Sequence, residues 1–275
     1  MCSPFLKALV GCVLLGASAA QAQARELRVC ADPNNLPFSN QRLEGFENKI
    51  VAIVAEELRS DPTYTWWAQR RGFIRNTLKA DLCDLVPGIT SNMEMLRTTA
   101  PLYRSTYVFV TREDGPKIES LNDSALRDLK VGVQMIGNDA SNTPPAHALA
   151  RRGITDNVRG YSVYGDYREP NPPARIVEAV ARGEIDVAIV WGPLAGYFAP
   201  RQTVPLRLSP VKPQIDGPKL PMVFESSMGI RKEDTALRAE LEAAIERRRP
   251  DIDAVLAEYG VPRLDRPAES ARAAR

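Results

Sequence analysis

Apolar positions along the chain change period in a way that separates strands from helices. Leu27 to Ala31 (LRVCA) is a short apolar run that reads as a strand, closed by the turn cluster Asp32-Pro33-Asn34-Asn35. After Gly45-Phe46, the residues Ile50, Ile53, Val54 and Leu58 recur at helical spacing and predict a helix over about residues 48–59. Thr63 to Ala68 (TYTWWA) reads as a second strand, and residues 72–80 as a helix with Phe73, Ile74 and Leu78 inward. Leu82 to Ile89 (LCDLVPGI) reads as a third strand, ending at Gly88. This β-α-β-α-β alternation predicts a parallel sheet covered by helices. In such sheets ligands collect at the carboxyl ends of the strands, beside the switch point. Here those ends are residues 32–38 and 88–92.

A second alternating set follows. Thr106 to Thr111 (TYVFVT) predicts a strand, residues 112–128 are polar, and Lys130 to Gln134 (KVGVQ) predicts another strand. A helix is expected over about 145–152, a strand within Asn157 to Tyr164, and a helix over 174–182. Ile185 to Trp191 (IDVAIVW) has the continuous apolar character of a buried strand and ends in Gly192-Pro193. Thr143-Pro144-Pro145 and Glu169 to Pro173 (EPNPP) read as surface loops. Met228 to Arg231 resumes a strand, and helices over about 235–248 and 252–259 follow. The tail from Arg263 has no apolar period and is expected to be frayed.

The amino terminus follows a different rule. Lys7 precedes an apolar run, Ala8 to Ala20 (ALVGCVLLGASAA), and two small-x-small sites follow, Ala20-Gln21-Ala22 and Ala22-Gln23-Ala24. This is a secretory signal-peptide pattern, and the run is too short to span a bilayer. Leu9-Val10-Gly11-Cys12 resembles a lipobox, but almost none of the apolar run precedes Cys12. Residues 1–24 are therefore set aside, and no later apolar run approaches the ~18 residues of a membrane span. Of four cysteines, Cys30 and Cys83 remain. In an oxidising compartment two cysteines read as one disulfide, the alternative being two buried thiols. The first and third strands are neighbours in a doubly wound sheet, which favours the bridge, and no C-x-x-C spacing points to a redox pair.

Composition then removes function classes. The 275 residues carry 36 Lys+Arg against 34 Asp+Glu, and losing Lys7 with the leader leaves a charge of +1. That balance speaks against a nucleic-acid binder, and an aromatic share of 7% speaks against stacking platforms for bases. The single His, His147, cannot build a His-rich metal site, and no His, Cys and carboxylate cluster has metal-ligand spacing. No G-x-S-x-G elbow accompanies it, so it reads as a surface residue near a helix start rather than a general base. Asp84 and Asp186 each precede an apolar strand and read as caps at the amino-terminal edge of the sheet rather than a catalytic pair.

The layout resembles the type II periplasmic solute-binding fold, two doubly wound α/β lobes with a cleft between them. Cys30-Ala31-Asp32-Pro33 and Leu36-Pro37-Phe38 are similar to that family's first strand and turn, and Gly45-Phe46 to the Gly-Phe before its first helix. Pro101-Leu102-Tyr103 resembles the P-x-Y before the crossing strand, and residues 229–234 (GIRKED) its return strand and helix start. The resemblance implies one lobe from residues 25–110 and 225–275 and a second from 111–224. Amino-acid-binding members hold their ligand with an Arg after the third strand and an Asp near the last strand of the second lobe. Ser91-Asn92 and Trp191 stand at those places here, so both charge anchors are missing and amino-acid transport is disfavoured.

Three strings narrow the resemblance: residues 70–78 (RRGFIRNTL), 103–110 (YRSTYVFV) and 191–198 (WGPLAGYF). All three are similar to the methanol-oxidation J proteins of MxaJ and XoxJ type. That resemblance implies a periplasmic, non-enzymatic protein that binds a pyrroloquinoline-quinone-dependent methanol dehydrogenase and assists its maturation or activation. It implies no cofactor of its own, no nucleic-acid partner and no membrane insertion. A small-molecule receptor of an ABC uptake system is the alternative, and a lyase or hydrolase on the same fold a third reading. The candidate cleft or partner-binding residues are Asp32, Asn35, Phe38, Trp67, Arg70, Arg71, Arg75, Tyr103, Arg104, Trp191 and Tyr197. Arg and aromatic residues are the types enriched at interface hot spots.

Overall fold

The computed structural model describes residues 25–136, 142–163 and 167–264. The signal-peptide expectation and most of the tail lie outside the described residues. Strand β1 (Arg25–Ala31) runs parallel to β2 (Ser60–Trp66), from Arg25 opposite Ser60 to Ala31 opposite Trp66. On its other side it meets β3 (Leu85–Thr90) in parallel, with Val29 opposite Leu85. Helix α1 (Phe46–Glu57) covers this sheet by burying Phe46, Ile50, Val51 and Val54; of the anticipated stripe Ile50 and Val54 are buried, while Ile53 and Leu58 are only partly so. Cys30 and Cys83 form a disulfide with Cα atoms 5.6 Å apart.

The helix expected over residues 72–80 is cut short. Helix α2 (Phe73–Asn76) is one turn, followed by a 3-10 turn at Leu78–Ala80. Gly72 enters at φ 89°, and Thr77 leaves helical geometry while its hydroxyl donates to the Phe73 carbonyl at 2.6 Å. Phe73, Ile74 and Leu78 are buried as predicted, packed with the disulfide, Val86 and Leu96.

Two long strands carry the chain between lobes. The amino-terminal half of β4 (Tyr103–Arg112) pairs antiparallel with β9 (Val223–Ile230), Tyr103 opposite Ser226 and Thr106 opposite Val223. Its carboxyl half pairs antiparallel with β7 (Val187–Trp191) and with β8 (Leu206–Pro210). Strand β9 also pairs antiparallel with β3, so the two sheets are joined through β4 and β9. In the second lobe β7 runs parallel to β5 (Val131–Met135), and β5 to β6 (Val158–Ser162). Helices α3 (Pro144–Arg151), α4 (Arg175–Ala181) and α5 (Gly192–Phe198) cover this sheet, while α6 (Thr235–Arg247) and α7 (Arg249–Glu258) return to the first lobe. Both faces of β7 are buried: Ala188 and Val190 pack towards α4 and α5, Val187 and Ile189 towards α3. That is why its sequence is a continuous apolar run. No helix among the described residues is long and apolar enough to cross a membrane.

Several expectations are corrected. The two Pro-rich stretches are not wholly surface loops. Pro144 and Pro145 open α3, where a missing N–H costs nothing, and Pro172 and Pro173 are buried in a 3-10 turn. Strand β9 begins five residues before Met228, and β8 and α5 were not anticipated. His147 lies within α3, half-buried, with its Nε2 accepting the Asn142 N–H at 3.3 Å. The tail is not frayed at its start: the Arg263 guanidinium donates to Asp253 at 2.5 Å and the Leu264 N–H to the Arg104 carbonyl at 2.9 Å. Asp84 and Asp186 do sit at strand starts, Asp84 accepting from Arg28 and Arg231, and Asp186 from the Lys130 N–H at 2.7 Å.

Candidate functional site

A cavity of about 530 Å³ lies between the lobes at the carboxyl ends of β1, β3 and β7. Parallel strands open their carboxyl ends onto such crevices, and the β4 and β9 crossings form its back wall. Six aromatic residues line it: Phe38, Tyr103, Tyr107, Tyr167, Trp191 and Phe224. Tyr107, Trp191 and Phe224 pack edge to face, with ring centroids 5.3, 6.0 and 6.4 Å apart. The Trp191 N–H donates to Gln134 Oε1 at 2.8 Å, which fixes the end of β7 against β5.

Asp32 is the polar anchor of the first lobe and is 3% exposed. Its Oδ1 accepts the Asn34 N–H at 2.9 Å, and its Oδ2 accepts the Gln69 N–H at 2.7 Å and the Tyr167 hydroxyl at 2.6 Å. The Tyr167 bond crosses the cleft. Asn34 adds a second crossing by donating to the Glu169 carbonyl at 2.9 Å. Burial first, then the bond to Asp32, raises the Tyr167 hydroxyl above the usual phenol range.

The remaining candidates divide by location. Asn35, which donates weakly to Gln69 Oε1 at 3.4 Å, lines the cavity with Phe38, Tyr103 and Trp191. Arg70, Arg71 and Arg75 line an adjoining groove of about 580 Å³ with Phe73, Met93 and the exposed Met95. Groove and cavity share Gln69, Gly88, Ile89, Thr90 and Met93, so they form one continuous depression. The Arg70 guanidinium lies 5.2 Å from the Tyr167 ring centroid. Trp67 is 43% exposed at the outer edge of the sheet and lines neither space. Arg104 lines a third depression with Arg249 and Arg263, which adjoins the cavity at Tyr103 and Glu225. Tyr197 stacks on Tyr259 of α7 at 5.4 Å beneath the Arg201 guanidinium, packing the lobes together rather than facing the cavity. At the missing charge anchors, Ser91 Oγ is bonded to Ser227 Oγ at 2.6 Å and Trp191 is an aromatic wall.

Sequence reasoning missed Glu47. It sits in the first turn of α1, is 7% exposed and lines the cavity. No hydrogen bond among the described residues reaches its carboxyl oxygens. Burial, and then the negative charge of Asp32, pushes its pKa up to about 8. Gly88 is required beside it: a Cβ there would stand 1.8 Å from Glu47 Oε1. The signal available in the sequence was an acid directly after Gly45-Phe46, at a helix start that faces the ligand end of the sheet. Tyr107, Phe224 and Glu225 were missed as well; Tyr107 lies two positions after an exposed-and-buried boundary in β4, and Phe224 precedes the strand start that was expected. Among the described residues no group of three or more His, Cys, Asp or Glu could hold a metal.

Two α/β lobes joined by crossing strands, with a ligand crevice between them, define a protein of the type II periplasmic-binding-protein fold. No family model matches the chain. Protein MoxJ of Methylorubrum extorquens is 35% identical over 262 residues, covering 90% of this chain and 85% of that protein. The periplasmic binding protein XoxJ from Methylobacterium extorquens AM1 has a solved structure that is 36% identical at a TM-score of 0.69, covering 86% of this chain and 99% of that one. MxaJ from Methlophaga aminisulfidivorans is 27% identical at a TM-score of 0.76, over 86% of this chain and all of that one. The chain belongs to the MoxJ family.

Proposed function

We propose that this chain is a periplasmic accessory protein of methanol oxidation that binds a pyrroloquinoline-quinone-dependent methanol dehydrogenase and assists its maturation or activation. The leader-like residues 1–24 support export, and membership of the MoxJ family supports the process. The observation that carries the binding role is the continuous depression made of the aromatic cavity and the Arg/Met groove. It lacks the paired charges of an amino-acid site and offers aromatic, Arg and Met side chains, which suit a polypeptide segment. Trp191 and Tyr103 would receive the inserted part, and residues 70–75 its flank. Mixing the purified protein with methanol dehydrogenase is expected to give a complex by native mass spectrometry, and deletion of the gene is expected to lower dehydrogenase activity. No complex together with unchanged activity would overturn the proposal.

The cross-cleft bond from Tyr167 to Asp32 favours a second reading, a receptor that closes on a small molecule. That reading predicts ligand-induced stabilisation of about 2.7 kcal/mol at a hundredfold excess over Kd. A broad metabolite screen without a thermal shift would eliminate it.

A further inference from the structure

We infer that the cleft takes an organic cation, an alkylammonium or guanidinium group, between the Tyr103, Tyr107 and Trp191 rings and the carboxyl groups of Glu47 and Asp32. Where the cation is a side chain of the dehydrogenase, this rests on the reading above and names the group that the partner inserts.

Charge segregation is the first argument. Three carboxylic acids line the cavity, Asp32, Glu47 and Glu225, and among the described residues no Lys, Arg or His does. This occurs in a chain with 36 Lys+Arg, four of which, Arg70, Arg71, Arg75 and Lys79, line the adjoining groove. An anionic guest would meet carboxyl groups and no cationic side chain among the cavity's described lining residues.

The state of Glu47 is the second. A buried carboxyl without a hydrogen-bond partner is expensive and rare. The groups facing it are Asp32 just after β1, Tyr64 from β2, the Gly88 backbone from β3 and Tyr103 from β4. The Oδ1 of Asn48 beside it accepts from the Asn40 and Gly45 N–H groups, and its Nδ2 donates no hydrogen bond. None of these supplies positive charge. A cation entering the cavity would be the missing partner. The ring faces add to this, since a cation over an aromatic face gains about 0.5–2 kcal/mol when desolvated.

A proton balance follows. An alkylammonium would pair with ionised Glu47, so at neutral pH its binding releases the Glu47 proton to solvent. Affinity should then rise about tenfold per pH unit below about pH 7 and level off above about pH 8, because Glu47 titrates near 8.

The test is calorimetric titration of the full mature chain with n-butylammonium, and with 1-butanol as the neutral probe. The expected result is saturable butylammonium binding at pH 8, about fivefold weaker at pH 7, with close to one proton released there. Butanol should bind at least tenfold more weakly. Glu47→Gln should bind butylammonium weakly and without pH dependence, whereas Trp191→Ala should bind weakly but keep the pH slope. The inference is overturned if butanol binds as well as butylammonium. It is also overturned if affinity ignores both pH and Glu47→Gln, or if no saturation appears up to about 100 mM. The source is read from the dehydrogenase complex. Displacement by butylammonium assigns the cation to a partner side chain, and a complex indifferent to it assigns a free amine. Amine binding without any complex overturns the accessory role and leaves this inference standing; a complex without amine binding does the reverse.

Discussion

Glu47 should make the folded protein lose stability as pH rises, contrary to the ordinary behaviour of carboxylates. Its pKa in the fold is near 8 against 4.5 in an open chain. Below 4.5 both states hold the proton and nothing is lost. Between 4.5 and 8 the folded state keeps a proton that the unfolded state has released, so stability falls with a slope of about 1.4 kcal/mol per pH unit. Over the whole window the loss comes to roughly 5 kcal/mol, a large part of the 5–15 kcal/mol that holds a typical domain. The site explains why the cost is not relieved: the carboxyl is buried, lacks a donor, and faces Asp32. Urea unfolding followed by circular dichroism at pH 5.5, 7 and 8.5 reads the slope. Glu47→Gln carries no charge and should flatten the profile, so that its advantage over the wild type grows as pH rises from 5.5 to 8. The sole His, His147, is unchanged in that variant, so the difference between the two profiles isolates Glu47. A variant with the same slope as the wild type would refute the reasoning.

Three further outcomes follow from the geometry. The Cys30–Cys83 bridge closes a loop of sequence separation 53, for which chain-entropy arguments give about 4 kcal/mol; Cys30→Ala/Cys83→Ala should lower the urea midpoint by that equivalent, and a loss under about 1 kcal/mol would show that the bridge is not restricting the unfolded chain. Tyr167→Phe removes the hydroxyl that donates to Asp32 across the cleft; closure should weaken by about 1–2 kcal/mol and the radius of gyration in small-angle scattering should rise, whereas an unchanged radius would mean the lobes are held elsewhere. Asp216, whose carboxyl Arg152 and then Arg151 hold below the ordinary range, supports the fold above that range and stops doing so as acid protonates it. Asp216→Ala should therefore cost about 1–3 kcal/mol at pH 7, read by thermal unfolding, and the cost should shrink as pH falls below about 4.

The sheet was legible because its strands are short apolar runs bounded by turn residues, and the bridge because those runs become neighbours in a doubly wound order. What escaped depends on contacts distant in sequence. Glu47 in a helix's first turn reads as a solvated acid favoured by the helix dipole. It is buried only because β3 brings Gly88, which has no side chain, against it and β4 brings Tyr103. Tyr197 looked like part of an aromatic cleft string with Trp191, but α5 begins at Gly192 and turns it towards Tyr259. Residues 72–80 kept their inward positions and lost their helix, because burial against the disulfide needs only the side-chain spacing, while Gly72 and Thr77 set the backbone.

Near-neutral total charge concealed the most informative electrostatic feature, an acidic aromatic cavity sharing a wall with a basic groove. Opposite charges held side by side act mainly on encounter and orientation rather than on total affinity. A partner segment that fits would carry a cationic tip and an acidic flank, and would dock in one direction only. Charge reversal in the groove, Arg71→Glu with Arg75→Glu, alters exposed side chains and leaves the cavity intact. It should lower the association rate with methanol dehydrogenase at least tenfold at low salt, with the difference shrinking as ionic strength rises, measured by surface plasmon resonance. Butylammonium binding should be untouched by the same variant. An association rate that stays at the wild-type value at low salt would remove the groove from the docking surface and leave the cavity as the whole of the site.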